Sequence, residues 1–281
     1  MYQPIDFFPV KTEDPFLQYR PFPENPSNYF EAHWHEIAAS FLFYVSIQYI
    51  SAFSSKYIFG ETYTKLDRKT KVNFDIHVVS QVQCVISIYF VVNCWYHPML
   101  YNYTTDPVSS IVGYYPFGGL VAAATTGYFL WDTYVCLAYF SLFGTGFLFH
   151  GLAALYVFGT ALIPFCLPWV PAFLLFEVST PFVNMNWFAS KLPAGTFSDK
   201  FVMINGLILM IVFFVVRILW GFYAVSQVAG SLWHTRHLLN PFFPVVVLSL
   251  NMMLNCLNVF WFYKMVKIAQ KKAKASKSKK E

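Results

Sequence analysis

Three ionisable side chains stand isolated in long apolar runs in the middle of the chain: Asp132, His150 and Glu177. Carboxylates accept hydrogen bonds or pair with cations, and an imidazole exchanges a proton near neutral pH, so the set suits acid–base chemistry or the binding of a polar group. Helical spacing puts Asp132 on a face with Thr125, Tyr128, Cys136 and Tyr139. His150 lies one turn from Gly146 and Ala154, and Pro181 and Asn184 follow Glu177 on its face. Arg217, in a later apolar run, is a candidate counter-ion for Glu177 or Asp132, and its depth favours Glu177. Two polar stripes accompany them, Asn251, Asn255 and Asn258 in one segment and His77, Ser80, Cys84 and Ser87 in another.

The elements that carry these residues follow from composition. The chain is 57% hydrophobic and 12% charged, against ~25% charged in an ordinary soluble domain. Between Lys71 and Lys191 there is no lysine or arginine, and from His77 to Ser190 the only acids are Asp106, Asp132 and Glu177. That stretch cannot dress an aqueous surface, so its solvent is lipid. An ionisable group at the centre of a span costs on the order of 2.5–3.5 kcal/mol, which makes each of the three a functional candidate.

A helix needs roughly 20 apolar residues to cross the hydrocarbon core. Such segments fall at 36–55, 76–96, 119–140, 146–163, 167–185, 202–226 and 241–264. The fourth and fifth run together around Pro164, Pro168 and Pro171, which allows either one broken element or a tight hairpin. Charge favours the hairpin. Seven spans put the basic loop 56–75, the loop with Lys191 and Lys200, and the tail with eight lysines from Lys264 onward on the cytosolic side. Loop 97–118 has no basic residue and faces the lumen, which agrees with the sequon Asn102-Tyr103-Thr104. Asp132 then lies just past the midplane on the cytosolic side, His150 about one turn inside the cytosolic boundary, and Glu177 near the midplane.

The expected fold is all-α, a polytopic transmembrane helical bundle of about seven spans. It divides into a polar N-terminal arm (1–35), a first span and cytosolic loop (36–64), a main domain (65–270) and a lysine-rich cytosolic tail (271–281). The arm lacks the pattern of a signal peptide, so the first span is expected to act as the targeting signal. Lys277-Ser278-Lys279-Lys280-Glu281 has the K-x-K-x-x spacing of a dilysine retrieval signal, which implies coat proteins as partners of Lys277 and Lys279 and residence in the endoplasmic reticulum. The five cysteines lie in or beside apolar segments and read as small hydrophobes. His33-Trp34-His35-Glu36 and His234-Thr235-Arg236-His237 sit at span boundaries, where His, Trp and Arg are ordinary interfacial residues, and no metal is expected. No phosphate loop, nucleophile elbow or zincin motif is present, no cofactor is implied, and a lysine-only tail does not suggest nucleic acid.

The string Glu177-Val178-Ser179-Thr180-Pro181-Phe182-Val183-Asn184-Met185-Asn186-Trp187-Phe188 resembles a signature of small, single-domain TLC-domain proteins. That family is named for the translocating-chain-associated membrane protein, the ceramide synthase Lag proteins and a neuronal ceroid lipofuscinosis protein. Gly127-Tyr128 with Asp132, Phe149-His150, Arg217-Ile218 and the Leu254-Asn255, Leu257-Asn258, Trp261-Phe262 ending are similar too. The likeness covers roughly residues 65–270. Ceramide synthases carry adjacent histidines where this chain has Phe149 and His150, and an early W-x-x-R-x-x-S-x-x-H pattern is replaced by Phe74, His77, Ser80 and Gln83. The aspartate pair that follows in those enzymes is absent as well.

The resemblance implies a role in membrane-lipid homeostasis. A lipid-accessible cavity would bind a sphingolipid, a phospholipid or a fatty acyl chain, with Asp132, His150, Glu177, Asn184 and Arg217 as its polar lining. Two alternatives stay open. One is a ceramide-synthase-like acyltransferase using acyl-coenzyme A, with His150 as general base and Asp132 as its partner, weakened by the missing second histidine; the other is a cargo or translocon-associated receptor. The topology is checked with glycosylation reporters. One fused after Glu281 is expected to stay unmodified and one inserted in 103–112 to be modified, and a modified C-terminal reporter would overturn the orientation.

Overall fold

The computed structural model describes residues 10–163 and 165–278, so Pro164 and Lys279 of the sequence reading lie outside the described residues. The described chain is helical throughout, with no strand among the described residues. Its long elements are α1 (Tyr29–Ile58), α2 (Arg68–Cys94), α3 (Pro116–Ala138) and α4 (Phe140–Thr160). After a broken stretch come α5 (Thr180–Lys191), α6 (Asp199–Phe213), α7 (Trp220–Thr235) and α8 (Phe242–Ser278). Local chemistry sets their starts. Asn28, Asp67 and Ser198 accept backbone N–H bonds at the N-termini of α1, α2 and α6, and Pro116 opens α3.

Five helices are long and apolar enough to cross a membrane, α6 and α7 counting as one continuous rod, Asp199–Leu238. The others are α1, α2, α4 and α8. Pairing between neighbours shows that successive segments alternate in direction. Tyr44 and Ser51 of α1 bond Gln83 and Asp75 of α2, which makes that pair antiparallel. Ser40 and Gln48 of α1 bond Ala124 and Trp131 of α3, so those two run parallel. Thr126 faces Gly159 while Asp132 faces Gly151, so α3 and α4 form an antiparallel hairpin, turned at Tyr139 and Gly144.

The stretch expected as one span at 167–185 is not a continuous helix and is not among the five helices long and apolar enough to cross a membrane. It consists of a 3-10 turn Leu167–Trp169, a helical turn Val170–Leu174, a second 3-10 turn Leu175–Ser179 and then α5. Pro168 and Pro171 lack amide donors and interrupt the ladder. This segment runs antiparallel to α2, with Asn184 beside His77 and Phe188 beside Phe74. It packs on α2 and α6 rather than forming a paired hairpin with α4. The N-terminal arm is not a free appendage: the Lys11 amide bonds the Asn93 carbonyl, and the Phe117 amide bonds the Thr12 carbonyl.

Polarity is inverted relative to a water-soluble protein. Leu42, Tyr49, Leu137, Leu207 and Met253 are exposed, whereas Gln83, Ser87, Thr125, Asn251, Asn255 and Asn258 are buried. Close helix approach relies on small residues at contacts. A Cβ on Gly127 would lie 2.5 Å from the Ile37 carbonyl oxygen and 2.5 Å from Ser40 Cβ. Gly127→Val should therefore push α1 from α3 and destabilise the fold by about 1–3 kcal/mol, read as a lower thermal midpoint in detergent. An unchanged midpoint would show that the approach is not tight.

Candidate functional site

The site is built around Arg217. Its position interrupts the α6–α7 rod, because Phe214–Leu219 winds as a π-helical turn, a feature that recurs at functional sites. The turn directs the guanidinium to the second 3-10 turn, where Nε donates to Ser179 Oγ at 2.8 Å and Nη2 donates to Thr180 Oγ1 at 3.3 Å. Nη2 also lies 3.9 Å from Glu177 Oε1, with both side chains partly buried, and the guanidinium stands over the rings of Phe213 and Phe176. The break in the helix ladder thus exposes Glu177, Ser179 and Thr180 to one cation.

Asp132 enters from α3 and lies within electrostatic range of Glu177 and of Tyr128 one turn away. Its carboxylate packs against the backbone of α4, where a Cβ on Gly151 would come within 2.9 Å of Oδ2. His150, next to that glycine, is held edge-on by Phe129 and Trp261 at ring separations of 6.2 and 5.5 Å and lies within electrostatic range of Arg217. Four elements therefore bring Tyr128, Asp132, His150, Glu177 and Arg217 to one level of the bundle. No hydrogen bond joins Asp132 to His150, and the buried His150 Nδ1 has no partner among the described residues.

Asn184 belongs elsewhere. Its Oδ1 accepts from His77 Nδ1–H at 2.9 Å, and its Nδ2 donates to Gln81 Oε1 at 3.1 Å. It locks α5 to α2 beyond the Arg217 cluster. Ser179, Thr180 and Tyr128 complete the site; their signal was present in the E-V-S-T-P string and in the face shared by Tyr128 and Asp132. An apolar groove lined by Gly146, Phe149, Leu248, Met252, Met253 and Cys256 opens between α4 and α8, beside the His150 turn.

Comparison with known proteins bears on what this arrangement is. The TLC domain pattern matches residues 73–267, which contain every member of the cluster. The chain belongs to the TLC-domain family. It is 40% identical to Topoisomerase I damage affected protein 4 of Saccharomyces cerevisiae over 95% of this chain and 94% of that one. A TLC domain-containing protein of Schizosaccharomyces pombe is 36% identical over 87% of this chain and 81% of its own length. TLC domain-containing protein 4 of Homo sapiens is 32% identical over 55% of this chain and 62% of its own. No solved structure matches. The arm and all of α1 lie outside the matched residues, and α1 packs against α2 and α3.

Arg217 and Glu177 test the architecture of the cluster. Arg217→Met leaves Glu177 as an uncompensated charge and should destabilise by about 3–5 kcal/mol. Arg217→Met combined with Glu177→Gln should recover part of that loss, as a coupled pair does. Thermal unfolding in detergent reads both, and equal losses for the single and double variants would show the pair to be uncoupled.

Proposed function

We propose that this TLC-domain protein acts in membrane-lipid homeostasis at the endoplasmic reticulum by holding a lipid with its polar end at Tyr128, Asp132, His150, Glu177 and Arg217. One contrast supports the reading. Many inward polar side chains of the bundle are used up by one another: Tyr44 bonds Gln83, Gln83 bonds Ser87, Trp131 bonds Gln48, and Asn184 bonds His77 and Gln81. Thr133 Oγ1, Trp169 Nε1 and Asn255 Nδ2 are buried without a partner among the described residues but carry no charge. In the cluster, the buried His150 Nδ1 is an unpartnered ionisable group beside the Asp132-bearing face of α3 and the Glu177–Arg217 pair. An unpartnered buried imidazole among charged side chains is available to a ligand.

Two carboxylates against one guanidinium favour a head group that presents hydroxyl or amine donors. The groove between α4 and α8 gives an acyl chain a path from the bilayer to the His150 turn. The tail's Lys277 and Lys279 fit retrieval by cytosolic coat proteins, which agrees with residence in the endoplasmic reticulum. The unengaged His150 Nδ1 also suits a general base, so acyl transfer from coenzyme A is the second reading.

A strain lacking the protein, complemented by wild type or by His150→Ala, tests the proposal by lipidomics. Wild type should restore the lipid profile, while a stable, correctly located His150→Ala should fail to do so. Asp132→Asn should retain about tenfold less co-purifying lipid, the effect of weakening one hydrogen bond to a charged group. Full complementation and full lipid occupancy by both variants would remove the cluster from function. Acyl transfer would show instead as acyl-coenzyme A consumption that His150→Ala abolishes.

A further inference from the structure

A second buried polar cluster lies where the arm meets α1. His33 and Glu36 were read from the sequence as ordinary interfacial residues, yet both are buried, and the arm brings Asp14 to them. His33 Nδ1 is 2.7 Å from Glu36 Oε2 and 3.5 Å from Asp14 Oδ2, and the Asp14 and His33 side chains have no exposed surface. One donor atom from each residue falls within 4.8 Å of the others.

Without an ion, the two carboxyls have to share a proton, because the imidazole proton does not satisfy both of them. His33 Nε2 is 2.9 Å from the Tyr114 hydroxyl. If Nε2 carries the proton and donates there, the Nδ1 lone pair confronts two carboxylate oxygens. If Nδ1 carries it, Glu36 Oε2 is satisfied but Asp14 Oδ2 and Glu36 Oε1 remain buried without a partner. Arg20, the nearby cation, spends its guanidinium on the carbonyls of Pro23, Glu24 and Ala32 and bonds neither carboxylate. His35 Nε2 is 3.1 Å from the Phe16 carbonyl and 3.7 Å from Glu36 Oε1, too far for a hydrogen bond to the latter.

We propose that Asp14, His33 and Glu36 bind a divalent first-row transition ion of the zinc type, which pins the arm to the bundle. One imidazole and two carboxylates are a ligand set for such ions, whereas calcium takes 6–8 oxygens. Zinc bonds of about 2.0–2.2 Å put tetrahedral ligand atoms roughly 3.3 Å apart, close to the 3.5 Å between His33 and Asp14. Glu36 has to swing out by roughly half an ångström to reach the same spacing. Each ligand is already oriented from behind: Asp14 Oδ1 accepts from the Phe16 amide at 2.8 Å, and Tyr114 accepts from His33 Nε2, freeing Nδ1 for the ion. Gly119 makes room for the imidazole, since a Cβ there would overlap His33 Nε2.

The test uses full-length protein without a histidine tag, stripped with a chelator in detergent and titrated with zinc chloride. Elemental analysis should find one zinc per chain, and zinc should raise the thermal midpoint and slow amide exchange in residues 10–20. Asp14→Asn and Asp14→Ala, on the arm and away from the bundle core, should fold but lose the equivalent of zinc and both responses. Tyr114→Phe should weaken zinc binding by about 10–100-fold. Absence of stoichiometric zinc in wild type, or undiminished binding by the Asp14 variants, would overturn the proposal; the first of these outcomes would assign the cluster to a shared proton. Neither result depends on lipid occupancy at Arg217.

Discussion

Lipid cannot hydrogen-bond a polar side chain, so every donor and acceptor turned inward must be answered by protein or by something the protein binds. This constraint separates two kinds of polar residue that look alike in sequence. The Tyr44–Gln83–Ser87 chain, the Trp131–Gln48 bond and the Asn184 bonds to α2 close on themselves and hold helices together. Thr133 Oγ1, Trp169 Nε1, Asn255 Nδ2 and His150 Nδ1 do not close, and of these His150 is the ionisable one. Removing a partner from the first kind costs stability, whereas the second kind already bears that cost in the absence of ligand.

The cluster depends on two departures from regular helix. Prolines break the segment before α5 so that Glu177 and Ser179 lie on a short turn and Thr180 opens α5, and the π turn at Phe214–Leu219 aims Arg217 at them. A regular helix at either place would rotate its side chains to another face. Glycines then set how near the helices come: Gly151 admits the Asp132 carboxylate, and Gly221 leaves room for Phe176 and Asn255. The site is a product of backbone irregularity held inside an otherwise regular bundle.

Much of this was legible in the residues. Apolar length and the charge gap between Lys71 and Lys191 marked the helices, and helical depth made Arg217 a neighbour of Glu177. Asn184 shows the limit. Its i+7 spacing from Glu177 assumed one continuous helix, but the 3-10 turn through Ser179 changes the phase and sends Asn184 to His77. The π turn carries no local signal in Phe214–Leu219, which reads as plain apolar helix. Asp14 was invisible as a partner of His33 because nothing in sequence spacing tells where an irregular, proline-rich arm will fold back. Tertiary contact, not propensity, decides that.

Photocrosslinking locates bound lipid most directly. Protein purified after growth with a lipid precursor carrying a diazirine near its polar end can be irradiated, digested and mapped by mass spectrometry. A lipid held by the cluster places adducts on the peptides that contain Tyr128–Asp132, His150 and Arg217, and Asp132→Asn removes them. Adducts confined to outward residues such as Leu42, Leu207 and Met253, unchanged by Asp132→Asn, would contradict binding at the cluster.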